Sequence, residues 1–449
     1  MEDLVLASAD DHIVEPADMY AKHLSPEHLS LAPRYVQEND LGGYWFWEHE
    51  GKKSYNVGLN AVVGRPREEY GFEPTGLDQM RRGTYDVHAR IDDMDVSGLL
   101  CSLNYPTMTG FDGAYFWDAK DKPNALRVLR AYNDWHVDEW CGAYPGRLIP
   151  NGLVPAWDSA DTVAEIKRLV AKGCRSITFP ANPASKGLPS IHDESWEPVW
   201  KICNDERVII NIHIGTGVTP AHASALSPIT AWMHTMPMAL SVDASDWLHN
   251  RALLRYPDLK IAMPEGGIGW IPYFLERGDF VFSHQGAWAR ADFGGKLPSQ
   301  VFREHFLVCF IDDRFGCKNL DDIGVETVMY EADYPHSDCT WPDTASELWR
   351  GLKDLPDATI DKITHENFFR EFQIDPFPML GGRENCTVGA LQAKARARGV
   401  STAVESFGGQ DARGFGDPSK PVTSQDVWAT HRNSKGVAPI EHSPEAMAE

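Results

Sequence analysis

Nowhere does this 449-residue chain carry a run of about 18 apolar residues, so it offers no candidate transmembrane helix. Basic residues are scarce: 42 Lys and Arg face 65 Asp and Glu, a net charge of −23. A surface of that sign repels phosphate backbones, which excludes nucleic acid as a partner. The opening residues, Met-Glu-Asp-Leu-Val-Leu-Ala-Ser-Ala-Asp, lack a basic segment, so no signal peptide is expected. Eight cysteines are scattered without paired spacing, several of them inside apolar runs. That usage argues against a disulfide framework and fits small core residues in a reducing cytoplasm. Internal repeats and low-complexity tracts are also missing.

What is present is a chain with 43% hydrophobic content, enough to bury a large core. Eight short apolar runs follow one another: 4–7, 98–104, 148–154, 175–179, 208–212, 260–263, 306–311 and 327–330. Near-continuous Val, Ile and Leu without strict alternation predicts parallel strands buried on both faces. Amphipathic stretches at 124–143, 159–172 and 195–205 lie between them. Ser159 and Asp161 are candidate caps of the second stretch, and Gly173 follows its last turn. Strand and helix alternating eight times is the sequence form of an α/β protein of (β/α)8 TIM-barrel type. We expect the barrel domain over residues 1–380. An insertion at about 18–82 carries Tyr35, Tyr44, Trp45, Phe46, Trp47, Tyr55, Tyr70 and Phe72. It reads equally as a pocket wall or as a hairpin that only packs on the barrel. From 381 to 449 the composition turns to Gly, Ala, Ser and Arg. After Ser401 it keeps few apolar anchors besides Val427 and Trp428, which reads as an extended tail.

Seven metal-competent side chains fall at the carboxyl ends of these strands: Asp10, His12, His213, Glu265, Glu331, Asp333 and His336. Active sites of barrels sit at that end. Asp10/His12 and Glu331/Asp333 are spaced i, i+2, so each pair points to one side of its strand. Charged groups placed repeatedly after apolar strands cost stability unless something compensates them, and a bound metal does so directly. Each residue also has a plainer reading. Asp-x-His can be a capping Asp beside a surface His, and Glu331 can be a buried salt bridge to a barrel arginine such as Arg175. Ala9-Asp10-Asp11-His12, Ile212-His213-Ile214-Gly215, Glu265-Gly266-Gly267-Ile268-Gly269-Trp270 and Asp333-Tyr334-Pro335-His336 carry the chemistry together.

These motifs, with Arg90-Ile91-Asp92-Asp93-Met94-Asp95 and Gly142-Ala143-Tyr144-Pro145-Gly146-Arg147, resemble the amidohydrolase-related branch of the metal-dependent amidohydrolase superfamily over about residues 4–375. The resemblance implies decarboxylases and hydrolases in which Asp10, His12, His213 and Asp333 hold one divalent metal. Decarboxylases of the branch usually carry His where Glu265 stands. With Glu331 as well, the donor set becomes oxygen-rich, which suits iron. The Glu-Gly-Gly-Ile-Gly-Trp and Asp-Tyr-Pro-His-Ser-Asp variants resemble a smaller barrel group that includes the non-haem di-iron monooxygenase of platensimycin and platencin biosynthesis.

The leading expectation is therefore a di-iron monooxygenase hydroxylating a bulky apolar, terpenoid-like acid, as its coenzyme A thioester. Two iron ions would be held by the seven residues, O2 would be co-substrate, and an electron donor would be required. Glu265, Asp333 and His336 are its expected catalytic residues. Lys52/Lys53, Arg65/Arg67 and Arg81/Arg82 are the candidate patch for coenzyme A phosphates, ordinary surface charge being the plainer reading. The alternative is a mononuclear zinc or manganese hydrolase or decarboxylase, with Glu265 as its acid or base. A third reading is a non-catalytic scaffold. A homodimer is left open.

Overall fold

In the computed structural model the chain is described over residues 1–38, 44–54, 58–71, 76–218, 222–407 and 419–427. Eight strands are parallel neighbours: β1 (Leu6–His12), β2 (Leu99–Tyr105), β3 (Leu148–Pro150 continuing into Gly152–Leu153), β4 (Ser176–Thr178), β5 (Ile209–Asn211), β6 (Ile261–Met263), β7 (Phe306–Phe310) and β8 (Val328–Tyr330). The ladder is interrupted at Asn151, inside β3, and between β8 and β1. Just beyond β8 the chain meets β1 again, where the Asp333 N–H donates to the Asp10 carbonyl at 2.8 Å and the His12 N–H to the Tyr334 carbonyl at 2.6 Å. The result is a TIM barrel.

The strands form where β-branched and apolar residues run together, and every residue of β1, β2 and β7 is buried. β1 reaches farther than its apolar run. Ser8, Asp11 and His12 lie opposite Ser102, Asn104 and Tyr105 of β2, with a shift of register between Ser8 and Asp11. Asp11 accepts from the Ser102 hydroxyl and, at 2.8 Å, from the Tyr334 N–H. The Arg90 guanidinium, fully buried, donates to the His12 carbonyl at 2.5 Å.

Connecting helices follow local rules with some differences from expectation. Helix Ser159–Ala171 is capped by Asp158, whose carboxylate accepts the Asp161 N–H at 2.9 Å; Ser159 and Asp161 already lie inside the helix. The stretch read as a helix over 124–143 starts at Lys122 and widens to a π-helical turn at Trp135–Trp140.

The insertion after β1 forms a three-stranded antiparallel sheet, Arg34–Glu38, Tyr44–His49 and Lys52–Ser54. Phe46 and Trp47 are buried, and Tyr35 stacks on Trp45 at 4.8 Å. Its later part is tied to the loop after β8, with the Ser337 N–H donating to the Leu59 carbonyl at 2.9 Å. Tyr55 and Phe72 lie outside the described residues, as does Trp428 near the carboxyl end.

Within the segment expected as an extended tail, Val388–Arg398 is an α-helix. Thr387 caps it, and Val388, Leu391 and Ala395 form a short buried stripe. The Val388 N–H donates to the Leu4 carbonyl at 2.8 Å, which docks this helix at the start of β1. Residues 419–427 return to the barrel at the loop after β5, where the Ile229 N–H donates to the Val422 carbonyl at 2.9 Å. No helix among the described residues is long and apolar enough to cross a membrane.

Candidate metal centre

At the carboxyl ends of β1, β5, β6 and β8 the structure brings six of the seven expected side chains into one buried cluster. Asp10, His12, His213 and Glu265 form one group of four donors, and His12, Glu265, Asp333 and His336 a second that overlaps it; within each group the atoms lie within 4.8 Å of one another. His213 Nε2 stands 3.0 Å from Asp10 Oδ2 and 3.2 Å from His12 Nε2. His12 Nε2 is 3.2 Å from Asp10 Oδ1 and 3.5 Å from Asp333 Oδ1. His336 Nδ1 lies 2.9 Å from Asp333 Oδ1, and its ring stacks on His12 at 3.7 Å.

The aim of these groups is fixed from behind. His213 Nδ1 sits 2.7 Å from the Ile214 carbonyl, which places a proton on Nδ1 and leaves the Nε2 lone pair facing the cluster when the ring is neutral. Glu265 and Asp333 have φ of +59° and +54°. Elsewhere the left-handed non-glycine residues Arg207, Arg290 and Gln373 end helices and Glu50 sits in a hairpin turn, where that conformation is common. At a strand end it is strain, held by surroundings that over-determine it. Here the Asp333 N–H is held by the Asp10 carbonyl and the Glu265 N–H by Glu331 Oε2, at 2.8 Å each.

The seventh residue behaves differently. Glu331 belongs to neither donor group; its carboxylate accepts the Glu265 N–H and so shapes the strained turn. It does not pair with Arg175 either, whose guanidinium lies 3.9 Å from Glu206. The structure thus gathers six of the seven expected residues into the donor groups and places Glu331 behind the turn.

Electrostatics show what the cluster lacks. Both oxygens of Asp10 and of Asp333 are buried without a hydrogen-bond partner, as are His12 Nδ1 and His336 Nε2. Burial pushes Asp333 and Glu331 well above the usual carboxylate range, and their acidic neighbours add to it. Burial raises Glu265 as well, to about 8, against the opposing pull of His213. Burial opposes ionisation of Asp10 too, but His213 and His12 outweigh it and hold that carboxyl low. Burial would lower His213, yet Asp10 and Glu265 raise it to about 9. Protons thus stand where a cation would otherwise balance the charge. Convergent imidazole nitrogens and carboxylate oxygens, buried and unpartnered, fit a divalent metal ion.

Two aromatic residues around the cluster have no sequence signal of their own. Phe111, in the loop after β2, packs on His213 at 4.4 Å and on His12 at 4.7 Å. Its carbonyl is fixed by the Thr178 hydroxyl. Tyr105 ends β2 beside His213 at 5.0 Å. Glu265 is the most open member, 18% exposed where Asp10, His12, His213 and Asp333 show none.

The expected basic patch is not available as one. Lys52 pairs with Asp118, Arg65 with Glu69, Arg81 with Asp93 and Arg82 with Asp86. These partners offset four of the six charges expected to meet coenzyme A phosphates.

A family model described as Amidohydrolase matches residues 105–367. Comparison with curated proteins gives no match. Among solved structures, an amidohydrolase from Mycobacterium avium subsp. paratuberculosis K-10 is 18% identical, with TM-score 0.62 over 82% of this chain and 99% of that one. The 5-carboxyvanillate decarboxylase of Sphingomonas paucimobilis is 19% identical, with TM-score 0.58 over 83% and 100%. A 5-carboxyvanillate decarboxylase variant from Novosphingobium aromaticivorans, solved with manganese, is 18% identical, with TM-score 0.54 over 83% and 98%. At such identities the likeness establishes the fold. The di-iron monooxygenase expectation is overturned: the neighbours are amidohydrolases and decarboxylases, and one of them was solved with manganese. Two irons, O2 and an electron donor leave the account with it. Glu331 lies outside both donor groups and accepts the Glu265 N–H.

Proposed function

Because the chain belongs to the Amidohydrolase family, we propose that it is a metal-dependent enzyme of carboxy-lyase or hydrolase type acting on a small organic acid. The carrying observation is the set of orphaned, buried oxygens of Asp10 and Asp333 facing the imidazoles of His12 and His213. Those four residues would hold one divalent ion, manganese or zinc, with His336 beside Asp333 completing the wall. Bound there, the ion supplies a Lewis acid that neutralises negative charge on the substrate.

The chain's own groups divide the remaining work. Glu265 is the carboxyl with an open side, so it meets the substrate and moves the proton. In a decarboxylation the C–C electron pair stays on the substrate carbon as CO2 leaves, and Glu265 protonates that carbon. In a hydrolysis Glu265 removes a proton from water instead. Phe111 and Tyr105 line the imidazole side with apolar surface, which excludes water and favours a flat, aromatic acid. Decarboxylation is the reading favoured by this wall and by the solved neighbours named for it.

The test is a panel of hydroxybenzoic and related aromatic acids incubated with manganese-loaded protein under nitrogen. Release of CO2 with metal-dependent turnover is the expected result. Amide or ester cleavage without CO2 release assigns the hydrolase arm, and turnover of neither class contradicts the proposal.

A further inference from the structure

Glu265 rides on the turn that joins β6 to helix Ile271–Ala289. The near end of that turn is pinned from β8, where Glu331 takes the Glu265 N–H. Its far end is pinned from β7. The Ile268 N–H at 2.9 Å and the Gly269 N–H at 2.5 Å both donate to one oxygen, Asp313 Oδ2. Asp313 stands just beyond β7, where its Oδ1 accepts the Gly316 N–H at 2.7 Å and caps helix Arg314–Lys318. Among the described residues its donors are backbone amides alone, and the adjacent Arg314 lies 3.9 Å from Asp312.

A helix cap needs only one oxygen, and Asp121 and Asp158 cap their helices through Oδ1. The second oxygen of Asp313 serves the neighbouring strand's turn, and the chain leaves room for it. A Cβ at Gly269 would stand 2.9 Å from Asp313 Oδ1, and one at Gly316 would run into the buried Ile268 side chain. Glycine at both places lets the turn and the carboxylate meet. An ionised acceptor makes shorter and stronger hydrogen bonds than a neutral one. We infer that Asp313 is a positioning residue for Glu265. Together with Glu331 it clamps the turn at both ends and so fixes where the Glu265 carboxyl stands. The φ of +59° at Glu265 persists only under such anchoring. Asp313 belongs to neither donor group, so holding metal is not its task. The inference rests on Glu265 as the proton-moving group.

The test joins amide hydrogen exchange and steady-state kinetics on the full manganese-loaded chain. Asp313→Ser keeps an oxygen to cap the Gly316 N–H and removes the one that crosses to the turn. Gly269→Ala displaces the same carboxylate from the opposite side. In both variants the Ile268 and Gly269 amides should exchange at least about 10-fold faster than in the wild type. On the hydroxybenzoic acid that the wild type turns over fastest, both should lower kcat about 10- to 100-fold. KM and metal content should stay those of the wild type. Asp313→Ser should not lower the residual kcat of Glu265→Gln any further. Unchanged exchange, a loss of bound metal, or an equal loss of kcat in both backgrounds overturns the inference. So does wild-type kcat in Asp313→Ser beside a nearly inactive Glu265→Gln. Wild-type kcat in Glu265→Gln overturns the reading beneath it, and the inference falls with that reading.

Discussion

Two regions bury carboxylates completely, and they resolve the cost in opposite ways. On the outer layer, Glu165 has no exposure, yet every lone pair is used. Arg130 donates to Oε2 at 3.0 Å, Arg168 to both oxygens at 2.7 and 3.0 Å, and Asn133 to Oε1 at 2.7 Å. At the mouth, Asp10 and Asp333 are equally buried, and among the described residues their oxygens face imidazoles rather than a lysine or arginine. Both regions obey the same rule, that a buried charge requires a partner. One obtained its cation from the chain; the other is built to take one from solution. The strained φ of Glu265 and Asp333 falls only in the second region, where side chains had to be aimed rather than merely paired.

The comparison breaks most visibly if ligands are removed. Asp10→Ala and Asp333→Ala should each lower metal affinity by more than about 100-fold and abolish turnover, with circular dichroism unchanged. Retained turnover in either variant would dissolve the contrast. Arg168→Met acts on the other side. It strips Glu165 of its two-oxygen partner and should lower unfolding free energy by about 3 kcal/mol, measured in urea, without changing metal content. Chelation should act on the mouth alone. Removing an ion present at about 100 times its dissociation constant costs about 2.7 kcal/mol of stability, visible as a lower Tm that returns on adding manganese. The smallest effect belongs to Glu331→Gln, which keeps an acceptor for the Glu265 N–H. A loss of about 10-fold in metal affinity is expected, because the residue supports a strained turn rather than ligating. A loss equal to that of Asp333→Ala would return Glu331 to the ligand set.

Much of the barrel is legible because its physics is local. Six apolar runs became strands within one or two residues of their bounds, and the run at 148–154 became the broken β3. β1 was underestimated, since its last three, ionic residues are held by β2, Arg90 and the β8 loop, which sequence does not reveal as neighbours. The ligand candidates were legible from their positions after strands. Glu331 was not distinguishable from a ligand, because i, i+2 spacing fixes the side of a strand but not the turn that follows. Phe111 and Tyr105 lie in no ionisable motif, and their role comes from packing across the mouth. The helix at Val388–Arg398 was hidden by Ala- and Arg-rich composition, since three buried residues make too thin a stripe to stand out.

The central claim is that the unpartnered carboxylates at the mouth await one divalent ion. Metal analysis of the purified wild type beside an Asp10→Ala/Asp333→Ala variant tests it most directly. The account predicts about one manganese or zinc per wild-type chain and none in the variant, following the ligand chemistry of the cluster. A metal-free wild type that cannot be loaded, or a variant that keeps its ion, would contradict it.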